Sequence, residues 1–200
     1  MQETPSAPGH APSTTAVVVP LRSLRSGKLR LQSRLDEAAR AALIADMANT
    51  VISAAHELPV FVVHDDEDVA PWAVERGAVP LRGTHPGLNR AVSEGVAHAG
   101  ASGHTKAIVA HADLPHAQDL RPVADFDGIT LVPDRLRDGT NVLCVPTDIA
   151  FPFSYGPGSF AVHLDLANET GCPVRVLEDP ALAWDVDHPD DLITGQETRA

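Results

Sequence analysis

Lys106-Ala-Ile-Val-Ala-His-Ala-Asp113-Leu-Pro115 decides how this chain is read. A short, fully apolar run ends in an acid, the pattern of a buried strand with a polar group at its carboxyl end. Three upstream runs read the same way: Ala16-Val-Val-Val19 stopped by Pro20, Pro59-Val-Phe-Val-Val63, and the weaker Ala78-Val-Pro-Leu81. Helical patterns separate them. Residues 36–56 read as a helix, with Leu35, Ala39, Leu43, Met47 and Val51 at four-residue spacing and Asp36 and Glu37 at the end where the helix dipole favours acids. Asp65-Asp-Glu-Asp68 opens a short helix, and residues 87–97 place Leu88, Ala91, Val92 and Val96 on one face. Strand–helix alternation predicts an α/β fold, a mostly parallel central sheet flanked by helices on both faces. Ligands of such sheets sit outside the carboxyl ends of the strands, which brings the loop after the first strand and Asp113 to one edge.

Downstream the alternation loosens. Strands are expected at 128–132 and 141–145, a helix from about residue 160 to 169 after the turn Ser154-Tyr-Gly-Pro-Gly-Ser159, a strand at 173–177 and a last helical turn at 189–193. Residues 1–15 lack the basic and apolar regions of a signal peptide and read as a disordered tail, leaving 16–200 as a single domain. No internal repeat is visible.

A chain of 200 residues with 44% hydrophobic and 21% charged content can bury an ordinary core. No apolar run reaches the ~20 residues of a membrane span. Cys144 and Cys172 are too few and too far apart for a metal motif or a disulfide framework, so they read as reduced thiols of a cytoplasmic protein. A net charge of −12 argues against nucleic acid or an anionic membrane as the main partner. The cations are nonetheless clustered: Arg22, Arg25, Lys28, Arg30 and Arg34 are five of fifteen, and no acid lies between Thr4 and Arg34. Such a loop suits a small anion. The chain has thirteen Arg and two Lys, so Lys28 in this loop points to a compact point charge on phosphate.

Asp185 and Asp187, in Ala183-Trp-Asp-Val-Asp-His-Pro189, join Asp113 as candidates. In an extended segment residues two apart share a face, so both carboxylates aim one way. Three hard oxygen ligands without a thiolate or imidazole set suit Mg²⁺, which is commonly held by one or two carboxylates plus substrate phosphates. Asp138-Gly-Thr140-Asn141 is a turn where backbone approaches a ligand and a hydroxyl donates. Gly156-Pro-Gly-Ser159 precedes a helix whose first N–H groups can bind an anion, or Ser159 simply caps it. Asn89 reads a nucleotide or stays at its helix start. His111 reads as a structural histidine, His85 and His116 lack metal-ligand spacing, and neither a Gly-x-Ser-x-Gly elbow nor a Walker loop is present.

Six motifs then occur in order: Val19-Pro-Leu-Arg22-Ser-Leu-Arg-Ser-Gly-Lys28-Leu-Arg-Leu31, Gly87-Leu-Asn-Arg-Ala91, Ala112-Asp-Leu-Pro115, Asp134 through Asp138-Gly-Thr-Asn141-Val-Leu143, Tyr155-Gly-Pro-Gly-Ser-Phe160 with His163, and Trp184-Asp-Val-Asp187 with Asp191-Leu192. Together, over about residues 16–194, they resemble the 2-phospho-L-lactate/phosphoenolpyruvate guanylyltransferases of coenzyme F-420 biosynthesis. The resemblance implies a nucleotide-diphospho-sugar-transferase-like fold, GTP as donor and a three-carbon phosphorylated carboxylic acid as acceptor. Carried over, Asp113, Asp185 and Asp187 would hold Mg²⁺, with Asp113 and Lys28 catalytic. Arg22, Lys28 and Asn89 would bind nucleotide, and Thr140, Gly156 and Ser159 the acceptor. The family often has Lys where this chain has Arg22, which changes the geometry of that cation. Phosphoenolpyruvate is the expected acceptor, with 2-phospho-L-lactate or 3-phospho-D-glycerate as alternatives, and a homo-oligomer is left open. Two rivals stand beside this reading. A molybdopterin or sugar-phosphate nucleotidyltransferase would start on a Gly-rich Leu-Ala-Gly-Gly-type loop, which Val19-Pro-Leu-Arg22 does not match. A catalytically silent nucleotide-binding module would not need the three aspartates and Lys28.

Overall fold

The computed structural model describes residues 14–192. The expected tail falls outside the described residues as far as residue 13, and Thr15 already belongs to β1 (Thr15–Pro20). Ile193, expected in the last helical turn, also lies outside them. β1 is followed by α1 (Glu37–Ser53), β2 (Val60–His64), α2 (Val69–Val74), β3 (Val79–Arg82), α3 (Leu88–Ala101) and β4 (Lys106–Ala110). Then come α4 (Arg121–Ala124), β5 (Ile129–Pro133), β6 (Thr140–Pro146), α5 (Ser159–Glu169) and β7 (Val174–Val176). Two 3-10 turns, Leu29–Ser33 and Pro189–Leu192, flank the candidate site. α4 and the first of these turns carry no clear periodic pattern and were not expected.

The seven strands form one sheet in the order β3-β2-β1-β4-β6-β5-β7. β1 lies parallel to β2 and β4, and β2 to β3, as the alternation of strands and helices predicts. β5 and β7 are also parallel, whereas β6 runs against both β4 and β5. The reversal was legible in length: residues 134–139 are too few for a parallel crossover, which needs a dozen or more. Asp134 ties this connection, its carboxylate accepting from the N–H groups of Leu136, Asp138 and Gly139 at 2.7–3.0 Å. Because β6 is reversed, its first residues lie at the carboxyl end of β4, with Ala110 opposite Val142.

The strands are apolar on both faces because both faces are covered. Val17 and Val19 of β1 belong to the same buried cluster as Ile44, Ala48, Val51 and Ile52 of α1, while Ala16 and Val18 join Val92, Val96 and Ala99 of α3. α3 sits close to the sheet at Gly95, where an added Cβ would meet Val63 Cγ2 at 2.8 Å. Asp36 caps α1 by accepting from the Ala39 N–H at 2.8 Å. No helix among the described residues is long and apolar enough to cross a membrane.

Candidate active site

Three segments meet outside the carboxyl end of β4. The chain leaves β4 through His111, whose N–H donates to the Asn141 carbonyl of β6 at 3.0 Å, and then presents Asp113. Residues 184–187 lie alongside without regular secondary structure. Val186 donates its N–H to the Asp113 carbonyl at 3.3 Å and buries its side chain against Leu31 and Met47. With Val186 buried, Asp185 and Asp187 flank it on the side of Asp113. Arg135 braces the segment by donating to the Asp185 carbonyl at 3.1 Å and ion-pairing with Asp191. Asp191 in turn accepts from the N–H groups of Asp187 and His188 at 2.8 and 2.6 Å. Arg135 and Asp191 were read only as parts of motifs; the structure gives them this bracing role.

The third segment brings Lys28, held in the left-handed backbone region with φ 55°, at the start of the 3-10 turn. That conformation is uncommon for a residue with a side chain and costs on the order of 1 kcal/mol. It delivers Nζ between two acids, bonded to Asp113 Oδ2 and, at 2.7 Å, to Asp187 Oδ1. The acids are therefore brought together, though not as a preformed cage. Among the described residues no group of three His, Cys, Asp or Glu side chains is disposed to hold a metal ion. The ammonium of Lys28 occupies the space between two of the three carboxylates.

Burial tends to lower the Lys28 pKa, but Asp113 and Asp187 outweigh it and hold the lysine charged, above its usual value. Burial pushes Asp187 upward, and Lys28 overrides it to leave the carboxyl below its usual range. Asp185 is raised to about 6, first by burial and then by the charges of Asp113 and Asp187. Burial depresses His111, with Lys28 adding to the effect and Asp113 opposing it, so the ring is neutral. Asp113 Oδ1, His111 Nε2 and Tyr155 Oη are buried without a hydrogen-bond partner among the described residues. An unpaired buried polar atom costs ~1–3 kcal/mol, so three at one sheet edge mark where polar ligand atoms belong.

Thr140 and Ser159 also converge. Ser159 Oγ accepts the Thr140 N–H at 3.2 Å, and both residues are buried. His163 Nε2 accepts the Ser154 N–H at 2.9 Å, so Nδ1 carries the proton and donates to Thr140 Oγ1 at 3.0 Å. Each hydroxyl accepts internally and keeps its own hydrogen for an acceptor atom. Gly156 lies nearby with φ 146°, a conformation that favours glycine, and nothing stands within 4 Å of where its Cβ would be. The anion site expected from the first turn of α5 is largely taken. Asp138 accepts the Gly158 N–H on its carboxylate at 3.2 Å and the Phe160 N–H on its carbonyl at 3.0 Å. What remains for an acceptor is the two hydroxyls and the open face of Gly156.

Asn89 is committed elsewhere. Its Oδ1 accepts the Tyr155 N–H at 2.6 Å and its Nδ2 donates to the Tyr155 carbonyl at 3.5 Å. It therefore clamps the Gly/Pro-rich loop to the start of α3. Arg22 is exposed and pairs with Asp65 through Nε at 3.0 Å. A groove of about 330 Å³ runs past Lys28, His111, Asp113 and Asp187. A second cavity of about 190 Å³ adjoins it, sharing Pro20, Arg22 and Leu88.

The His163 network predicts a pH effect on stability. Burial lowers this histidine from 6.5 to about 4. The unfolded chain protonates near pH 6.5 while the folded chain resists, so stability is complete above that value. It should fall as pH drops toward 4, by ~3 kcal/mol at most. Urea midpoints between pH 7.5 and 4.5 should decline in the wild type, and His163→Asn should remove that part of the slope.

A family model described as guanylyl transferase CofC like matches residues 15–198. The phosphoenolpyruvate guanylyltransferase of Rubrobacter xylanophilus is 40% identical over 184 residues, covering 88% of this chain and 90% of that protein. A 3-phospho-D-glycerate guanylyltransferase of Colwellia psychrerythraea is 30% identical over 191 residues, covering 89% of each. Among solved structures, one from Desulfovibrio desulfuricans G20 described as a nucleotide-diphospho-sugar transferase superposes with a TM-score of 0.71. It shares 13% identity over 94% of this chain and 90% of that one. A CMP:2-keto-3-deoxy-manno-octonic acid synthetase complexed with CTP superposes with a TM-score of 0.60 at 14% identity, over 92% of this chain and all of the other. These two structural likenesses bear on fold alone.

Proposed function

The chain belongs to the guanylyl transferase CofC-like family, and from that premise we propose that it transfers GMP from GTP to the phosphate of phosphoenolpyruvate. Pyrophosphate is released, and the enolpyruvyl-diphospho-guanosine product is the precursor of coenzyme F-420. The observation that carries this reading is the bridging of Asp113 and Asp187 by Lys28 in a groove that adjoins a second cavity. The 40% identity to a phosphoenolpyruvate guanylyltransferase, against 30% to a 3-phospho-D-glycerate guanylyltransferase, supports phosphoenolpyruvate as the acceptor.

An acceptor phosphate oxygen attacks the α-phosphorus, a P–O–P bond forms, and the bond to the β-phosphate oxygen breaks. A phosphate monoester has its second pKa near ~6, so the nucleophile is already ionised at neutral pH and no general base is needed. Burial lowers the pKa of both His111 and His163, which makes each a weak base and fits that account. The task left to the protein is to align two anions and offset the charge that builds on the leaving group. Lys28 supplies a fixed cation. Thr140 Oγ, Ser159 Oγ and the open face of Gly156 receive the phosphate and carboxylate of the acceptor.

Mg²⁺ fits the donor set: hard carboxylate oxygens, with a buried, unpartnered Oδ1 on Asp113. In this reading Asp113, Asp185 and Asp187 would hold it. The chemistry such an ion supplies is charge neutralisation on phosphoryl oxygens. The deciding experiment is pyrophosphate release from GTP and Mg²⁺ with each acid in turn. Phosphoenolpyruvate should be used best, with 2-phospho-L-lactate and 3-phospho-D-glycerate weaker. GTP binding without pyrophosphate from any acid would leave a silent nucleotide-binding module.

A further inference from the structure

The cavity beside the Lys28 groove is suited to a flat, apolar ligand with one polar edge. Pro20, Val63, Leu88 and Ala91 supply its apolar lining, and Asp65 and Arg22 bring charge to it. The segment bearing Asp65 is anchored on both sides. His64 Nδ1 lies 2.8 Å from the Asp66 carbonyl, and Ser23 Oγ donates to Asp66 Oδ2 at 2.6 Å. Asp68 is paired with Arg25 at 2.8 Å. Of the four acids in this loop, Asp65 is the one that lines the cavity. Arg22 Nε engages its Oδ2 at 3.0 Å, one of about four lone-pair positions a carboxylate offers.

Resting on the guanylyl-transfer reading, we infer that this cavity takes the purine base of GTP and that the Asp65 carboxylate accepts the N1–H and N2–H groups of guanine. Guanine presents these two donors side by side, which a carboxylate matches. Adenine places a lone pair at N1 and no amino group at C2, so the same carboxylate repels it. Hypoxanthine keeps N1–H but lacks the amino group and should rank between them. The adjoining groove then receives the triphosphate, which leads from the base toward Lys28 and the aspartates.

The test is calorimetric binding of GTP, ITP and ATP in Mg²⁺ without acceptor, to the wild type, Asp65→Asn and Asp68→Asn. Asp65 and Arg22 have side-chain exposures of 46% and 79%, so removing this surface pair should leave the fold intact. The wild type should prefer GTP over ITP and ITP over ATP. Asp65→Asn should lose about 10- to 100-fold in GTP affinity while ATP binding holds or improves, since a hydrogen bond to a charged group carries about that factor. Asp68→Asn should behave as the wild type. Unchanged nucleotide ratios in Asp65→Asn, or an equal loss for all three nucleotides, would overturn the inference. Selective GTP binding without pyrophosphate from any acid would sink guanylyl transfer and leave the base slot standing. Pyrophosphate formation with unaltered selectivity in Asp65→Asn would sink the base slot alone.

Discussion

Asp113→Asn should lower the turnover number for pyrophosphate release by ~10²-fold or more, while GTP binding changes far less. The side chain stands at the carboxyl end of β4, with Oδ2 on Lys28 and Oδ1 buried without a partner. Asparagine keeps the shape and one acceptor but removes the charge. A carboxylate preorganised at a reacting phosphate acts mainly on the transition state, so its loss should appear in kcat more than in KM. Stability should shift little. Lys28 retains Asp187, and Asp185 is relieved of one of the two acids that raise its pKa. The check is steady-state pyrophosphate release at saturating GTP and phosphoenolpyruvate, alongside a thermal melt. Full turnover in a folded Asp113→Asn protein would remove this residue from the chemistry.

The sheet was legible because both of its faces are covered. Runs such as Ala16–Val19 and Lys106–Ala110 have no polar face to confuse them with a helix surface, and both are strands within a residue of where they were read. Asp113 was legible for the same reason: an acid directly after a buried strand has few structural uses. The pairing of Asp185 with Asp187 rested on an assumed extended segment. The structure has an irregular one, set by the burial of Val186, by Asp191 four residues beyond Asp187, and by Arg135 from a sequence-distant turn. No local pattern encodes the contribution of Arg135. Asn89 and the first turn of α5 illustrate a different difficulty. Their donors and acceptors suit a ligand, but Tyr155 and Asp138 of the same chain reach them first. Intramolecular competition for a hydrogen bond depends on loop positions that residue spacing does not specify.

Lys28→Met separates the two roles of the lysine. At present its ammonium offsets Asp113 and Asp187, and Asp185 lies close enough for both acids to raise its pKa. Without that cation the carboxylates face one another across a partly buried space. Two like charges ~4 Å apart repel by about 4 kcal/mol at an effective dielectric of ~20. The cheapest relief is a solution cation. The variant should therefore bind Mn²⁺ more tightly than the wild type when no nucleotide is present, as followed by electron paramagnetic resonance. Turnover should still fall by ~10²-fold or more, because a fixed charge at the triphosphate has gone. Lys28→Arg should not restore the rate: the guanidinium is a planar fork, and the space between Asp113 and Asp187 is filled by a point charge on a residue already at φ 55°. A methionine variant with ordinary Mn²⁺ affinity and ordinary turnover would show that Lys28 neither balances the acids nor meets the substrate.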